Sequence, residues 1–216
     1  MAASSATVAS RAGYSEFPLT TATATAASVF DFVINMRRAF SLSLLLLTLL
    51  WTNANAATDL GGSFELIDQD GRVASAEDFH GKPVLLYFGF ASCPDICPLD
   101  LARLASVTRS LAAAHDIELT PVFVTIAPAR DTPEKLKAYV GYSHKDMVGL
   151  TGSDAAIAAM ADNYAVYYKR VPVDHSYTMD HSTFMFLLDN KGSYLEHYGS
   201  KVPADEMVRR IASRLN

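Results

Sequence analysis

From Val84 to Phe90 the chain reads Val-Leu-Leu-Tyr-Phe-Gly-Phe, a continuous apolar run of strand length that follows Lys82-Pro83 and leads into a cysteine-bearing turn. Apolarity at every residue, rather than at every second one, implies burial on both faces, as in a central parallel strand. Such a strand needs a packed layer on each side. The following sequence supplies them. Leu101, Leu104 and Leu111, with Ala105 and Ala112 between, fall on one helical face from about Pro98 to Ala114. Pro98 is tolerated in the first helical turn, so the helix is expected to start there.

Residues 119–126, LTPVFVTI, predict a second buried strand, and Asp131-Thr132-Pro133-Glu134 a capped helix start that buries Leu136, Tyr139 and Val140. Ser153 begins a short helix with Ile157, Met160 and Tyr164 on one stripe. Residues 183–189, TFMFLLD, and 193–198, SYLEHY, flank Asn190-Lys191-Gly192 as an antiparallel hairpin, and Pro203 opens a last helix carrying Met207, Val208, Ile211 and Leu215. The expected fold is α/β, a mixed central sheet flanked by helices around one core.

The N-terminal quarter reads as an address. Residues 39–51, AFSLSLLLLTLLW, follow Met36-Arg37-Arg38 and precede Thr52-Asn53-Ala54-Asn55-Ala56, the order of a basic region, a short apolar region and an A-x-A cleavage site. Thirteen residues fall short of the ~20 that span a bilayer, so residues 36–56 are expected to be a signal peptide cleaved after Ala56, a retained inner-membrane anchor fitting less well. Arg37-Arg38 alone is a weak twin-arginine signal, and no cysteine stands near the cleavage site to take a lipid. Residues 1–35 are rich in Ala, Ser and Thr, and translation is expected to start at Met36; an organelle transit peptide is the competing reading, with Glu16 and Asp31 against it.

Residues 57–216 then form the mature domain, exported to the periplasm, with 15 basic and 21 acidic side chains. That acidic balance lacks the basic field that holds a phosphate backbone, so no DNA or other nucleic-acid partner is expected.

The sequence has two cysteines, Cys93 and Cys97, in Phe88-Gly89-Phe90-Ala91-Ser92-Cys93-Pro94-Asp95-Ile96-Cys97-Pro98, where a strand ends and a helix begins. A disulfide between them would close too short a loop to brace much. The helix N-terminus is expected to favour thiolate over thiol, suiting the pair to metal capture or electron exchange. Three intervening residues depart from the C-x-x-C of dithiol oxidoreductases. Two thiolates need a third donor, and the six histidines are the candidates. His80, His115 and His144 read as solvated, and His197 as structural. His175 and His181 each follow an aspartate in a segment expected as a loop before an apolar strand. His181, next to that strand, is favoured, with His175 as a backup. Asp180 is expected to orient His181, and Asp95 to stand beside the thiols. Two thiolates and an imidazole suit Cu(I) in trigonal geometry, and Cu(II) with an added oxygen donor; zinc would want a fourth protein ligand.

FGFASCPDICPLDLARL, VTIAPARDTPEKLKAYV, MVGLTG and MDHSTFMFLLDNKG, in that order, resemble the Sco/SenC family of thioredoxin-like copper proteins, from about Phe64 to Leu215. The resemblance implies a thioredoxin-like fold and a metallochaperone that assists maturation of the dinuclear copper centre of cytochrome c oxidase. It implies copper ligation by Cys93, Cys97 and His181, the same pair acting as a redox-active dithiol if used. The implied partners are the copper-site subunit of the oxidase and another periplasmic copper carrier, with the chain itself a monomer. In the stretch resembling S-x-D-P-x-R-D-T, Ala127 stands where the family usually has aspartate, while Asp131 keeps the second acidic position. A thiol-disulfide oxidoreductase that reduces the oxidase cysteines and a redox or copper sensor are the alternatives. Peroxide reduction is disfavoured because no P-x-x-x-T-x-x-C sequence precedes Cys93.

Overall fold

The computed structural model describes residues 60–215. The expected extension at 1–35 and signal peptide at 36–56 lie outside them, and among the described residues no helix is long and apolar enough to cross a membrane.

Nine strands and four helices make up this part. Strands β1 (Glu65–Asp68) and β2 (Val73–Ser75) form a hairpin, followed by a 3-10 turn at Ala76–Phe79. Then come β3 (Val84–Gly89), α1 (Ile96–His115), β4 (Thr120–Thr125), α2 (Pro133–Ser143), β5 (Val148–Thr151) and α3 (Asp154–Asn163). The remainder is β6 (Tyr168–Val173), β7 (Ser176–His181), β8 (Phe184–Leu188), β9 (Tyr194–Gly199) and α4 (Ala204–Leu215).

Seven strands form one mixed sheet in the order β2-β1-β5-β4-β3-β8-β9. The run that begins at Val84 is its centre, as continuous apolarity requires. β3 pairs in parallel with β4, Leu86 opposite Val122, and antiparallel with β8, Leu86 opposite Phe186. All six residues of β3 are buried. β5 continues the parallel set beside β4, and α1 packs against α4 and α2. The hairpin expected around Asn190-Lys191-Gly192 is β8–β9.

Local chemistry fixes the helix ends. α1 starts at Ile96, two residues before the expected Pro98, so that Pro98 occupies the first turn and Cys97 is itself helical. It stops at Asp116, whose left-handed φ of 56° lets its N–H reach the carbonyl of Leu111. The cap of α2 is Thr132, whose hydroxyl accepts from the Lys135 N–H; Asp131, read in the sequence as part of that cap, is fully buried instead. Ser153 caps α3 through the Ala156 N–H.

Residues 174–181 differ from expectation more deeply. They are not a free loop: β6 and β7 pair antiparallel as a two-stranded ribbon outside the main sheet, turning at Asp174 and His175. His181 is the last residue of β7, opposite Tyr168.

Candidate metal centre

β3 ends at Gly89 and delivers the chain into the cysteine turn, closed by the Cys93 N–H donating to the Phe90 carbonyl at 3.1 Å. Asp131 clamps this turn from beneath. Its Oδ2 accepts the Ala91 N–H at 2.8 Å and the Thr125 hydroxyl at 2.7 Å. Its Oδ1 pairs at 3.0 Å with the Lys135 ammonium, which also donates to Ser92 Oγ at 2.8 Å. The carboxylate thus ties the turn to the end of β4 and the start of α2, which makes its burial affordable in physical terms: every oxygen is paired.

The first turn of α1 places Cys97 under β3, fully buried, while Cys93 keeps 9% exposure, and both are free thiols. The Tyr87 hydroxyl donates to Cys97 Sγ at 3.7 Å. Gly89 leaves the room: a Cβ there would lie 2.9 Å from Tyr87 Cε1 and 3.1 Å from Cys97 Sγ.

From the other side β7 brings His181, whose Nε2 stands 3.6 Å from Cys97 Sγ. Its Nδ1 lies 2.8 Å from the Ser182 carbonyl oxygen. A carbonyl only accepts, so Nδ1 carries the proton and the Nε2 lone pair faces the thiol. The Tyr87 and Phe90 rings meet the imidazole edge-on at 6.4 and 5.9 Å. Orientation therefore comes from Ser182 and two aromatic rings. Asp180, expected in that role, is exposed and sits opposite Lys169 on the ribbon, because neighbouring residues of a strand point to opposite faces.

Burial sets the protonation of the centre. It pushes the Cys97 thiol up to about 12, against the lowering hydrogen bond from the Phe90 backbone. The helix N-terminus therefore does not yield a thiolate at this sulfur in the metal-free protein, a correction to the expectation from sequence. Burial likewise holds His181 below the ordinary imidazole value, keeping it neutral.

Sequence reasoning missed a buried carboxylate one helical turn beyond Cys97. Asp100 is 2% exposed and pairs with Arg103 at 3.0 Å. Burial raises its carboxyl, with Arg103 first among the groups that oppose the rise. Arg103 in turn donates through Nη1 to the carbonyls of Gly199, Ser200 and Val202. The available signal was the i, i+3 spacing from Cys97, which puts Asp100 on the inward face.

The remaining expected residues lie apart. Asp95 is exposed at the start of α1 with no side-chain cap bond. His175, at the ribbon turn, is exposed and borders a cleft shared with Ser92, Pro94 and Arg130. His80 and His115 are exposed, His144 accepts the Asp146 N–H, and His197 bonds the Tyr194 hydroxyl, as its structural reading implies.

Cys97 and His181 fit one metal ion. Donors about 2.3 Å (sulfur) and about 2.0 Å (nitrogen) from a shared ion stand roughly 3.6 Å apart at angles between tetrahedral and trigonal. Cys93 stands four residues before Cys97, at the turn that leads into α1, and is buried with it. Among the described residues no three His, Cys, Asp or Glu side chains already close around one point. The SCO1/SenC family model matches residues 52–216.

The chain belongs to the SCO1/SenC family.

The fold of this SCO1/SenC chain is thioredoxin-like. It superposes on Arabidopsis thaliana ScoI with copper bound at a TM-score of 0.70, with 34% identity over 71% of this chain and 96% of that one. Yeast Sco1 with copper bound gives a TM-score of 0.67 and 35% identity, covering 72% and 87%. Among curated relatives, the SCO2-like protein of Rickettsia felis is 44% identical over 142 residues, 64% of this chain and 69% of its own length. The mitochondrial SCO2 homolog of Mus musculus is 41% identical over 69% of this chain and 60% of its own length.

Proposed function

We propose that this SCO1/SenC protein is a copper metallochaperone that binds copper through Cys93, Cys97 and His181 and assists maturation of the dinuclear copper centre of cytochrome c oxidase. The 3.6 Å approach of Cys97 Sγ to His181 Nε2 carries the reading, because it gathers a soft sulfur and a lone-pair nitrogen beside a second thiol. Copper-bound solved relatives and the family's link to oxidase assembly support it. Cu(I) is the cargo that two sulfurs and one nitrogen suit best; Cu(II) takes the same donors with an added oxygen.

The residues divide the task by depth. Cys97 and His181 hold the ion from within the fold, Ser182 fixing the tautomer that leaves Nε2 free. Cys93, with its residual exposure, is the ligand an incoming donor or acceptor reaches first. Binding displaces the Cys97 proton, and the ion replaces it as the partner of sulfur. Release to an acceptor then proceeds by exchange of ligands at Cys93, the acceptor being the copper-site subunit of the oxidase and the donor a periplasmic copper carrier. Export by residues 36–56 places the domain in the periplasm.

A second reading has its own observation: both cysteines are free, buried thiols four residues apart where β3 leads into α1. Cys93 would attack a disulfide of the oxidase subunit, and Cys97 would resolve the mixed disulfide. Two electrons and two protons pass to the partner, and a Cys93–Cys97 disulfide remains.

A cell lacking the protein tests the function. Lost oxidase activity that added copper restores is expected for delivery. Oxidase activity that stays intact, with altered copper-responsive gene expression, would overturn it in favour of sensing; loss that only added reductant restores would favour the dithiol role.

A further inference from the structure

Arg130 stands beside the cysteine turn without contacting Cys93, Cys97 or His181 through any hydrogen bond. It sits between the turn at Ala127, whose carbonyl accepts its N–H at 2.9 Å, and the clamping Asp131. Its Nη1 donates to the Tyr177 carbonyl at 2.8 Å. The guanidinium carbon lies 3.8 Å from the centre of the Tyr177 ring and 5.7 Å from that of Phe90. A second guanidinium, that of Arg170, is 4.2 Å from the Tyr177 ring. Arg130 Nε and Nη2 and the Tyr177 hydroxyl are buried with no partner among the described residues. Two aromatic faces and one carbonyl, rather than a carboxylate, therefore hold this cation.

The contact joins the ribbon to the cysteine turn, beside the buried Met179 and the His181 contacts to Tyr87 and Phe90. The β6–β7 ribbon pairs only with itself, and an isolated two-stranded ribbon is at best marginally stable in water. Tyr177 and His181 are residues i and i+4 of β7 and so share a face. Phe90, which Arg130 touches, also meets the His181 ring. Arg130 thus connects the Asp131-clamped cysteine turn to the strand that carries the imidazole.

We infer that Arg130 and Tyr177 are positioning residues that latch the β6–β7 ribbon onto the cysteine turn and thereby set His181 in the copper site. The inference rests on the copper reading above. Displacing one donor by about 1 Å is enough to spoil a preorganised site, so the latch acts on metal affinity without touching the metal.

The test compares Arg130→Met, Tyr177→Leu and Tyr177→Phe with wild type by competition for Cu(I), each also in a His181→Ala background. Arg130→Met and Tyr177→Leu should each weaken Cu(I) binding roughly tenfold, the scale of a partly desolvated cation–π contact. Tyr177→Phe keeps the ring and the carbonyl and should bind as wild type. In the His181→Ala background neither loss should appear, and the Cys93/Cys97 reduction potential should stay at its wild-type value. In the metal-free protein, the His181 ring-proton shifts produced by Phe90 and Tyr87 should move in Arg130→Met and Tyr177→Leu. Wild-type affinity in both variants, equal losses without His181, or unmoved ring shifts would each overturn the latch. Wild-type protein that binds no copper would overturn the copper reading alone, because the ring shifts still decide the latch without metal.

Discussion

Cys97 Sγ and His181 Nε2 stand 3.6 Å apart although they lie 84 positions apart in the chain. The sheet accounts for this meeting. β3 and β8 run antiparallel as neighbours, with Tyr87 opposite Met185, so the end of β3 and the start of β8 lie at the same edge. The helix that leaves β3 carries the sulfur, and the ribbon that enters β8 carries the imidazole. Neither residue needs a long loop to reach the other.

Copper affinity should rise with pH. Cys97 is a thiol at neutral pH, since burial lifts it to about 12, so copper must displace its proton. Each proton displaced gives about a tenfold gain in apparent affinity per pH unit. His181, held below 6.5 by burial, is already neutral and adds no slope above that value. Cu(I) competition at several pH values between 6.5 and 8.5 checks this, and a flat profile would contradict a buried thiol. The same shift has a consequence for folding. Folding raises this pKa from 9.0, so the stability linked to the thiol is whole below pH 9 and is lost as pH rises through about 12.

Gly89→Ala should damage the centre without touching a ligand. The new methyl meets Tyr87 at 2.9 Å, Phe123 at 3.0 Å and Cys97 Sγ at 3.1 Å, all in packed interior. Overpacking of this kind costs about 1–3 kcal/mol. A denaturation midpoint lowered accordingly, with weaker Cu(I) binding, is the expected result; a variant equal to wild type in both would contradict the tight contact.

Arg103→Met should destabilise the fold strongly. It leaves Asp100 buried without its cation and strips the Gly199, Ser200 and Val202 carbonyls of their donor. Removing one partner of a buried ion pair costs about 3–5 kcal/mol. Adding Asp100→Asn should recover part of that loss, because the side chain left behind is then neutral. Urea unfolding of the single and double variants measures both effects, and a single-variant loss under about 1 kcal/mol would show that the pair is screened by solvent.

The parts legible in the sequence share one property, a one-dimensional signal. Val84 to Phe90 announced a strand buried on both faces by unbroken apolarity, and the leucine stripe from Leu101 announced its helix. Cys93, Cys97 and His181 stood next to those elements and could be placed with them. The ribbon gave no such signal: β6 and β7 alternate little, and half of their residues are exposed. Asp131 sits in a D-T-P-E string that reads as a helix cap, and nothing local reveals that its carboxylate turns inward to hold Ala91 and Thr125. The protonation of Cys97 was misread for a related reason. Position at a helix start is visible in sequence, whereas complete burial under β3 is a property of the assembled fold, and here burial dominates.

The most direct test of the account is an anaerobic competition titration of the reduced protein with Cu(I), comparing wild type, Cys93→Ser/Cys97→Ser and His181→Ala. The account predicts one copper per chain in wild type, with affinity lost when the thiols are replaced and clearly weakened when the imidazole is removed. Binding that is weak in wild type, or indifferent to His181, would contradict it and leave the Cys93/Cys97 pair as a dithiol.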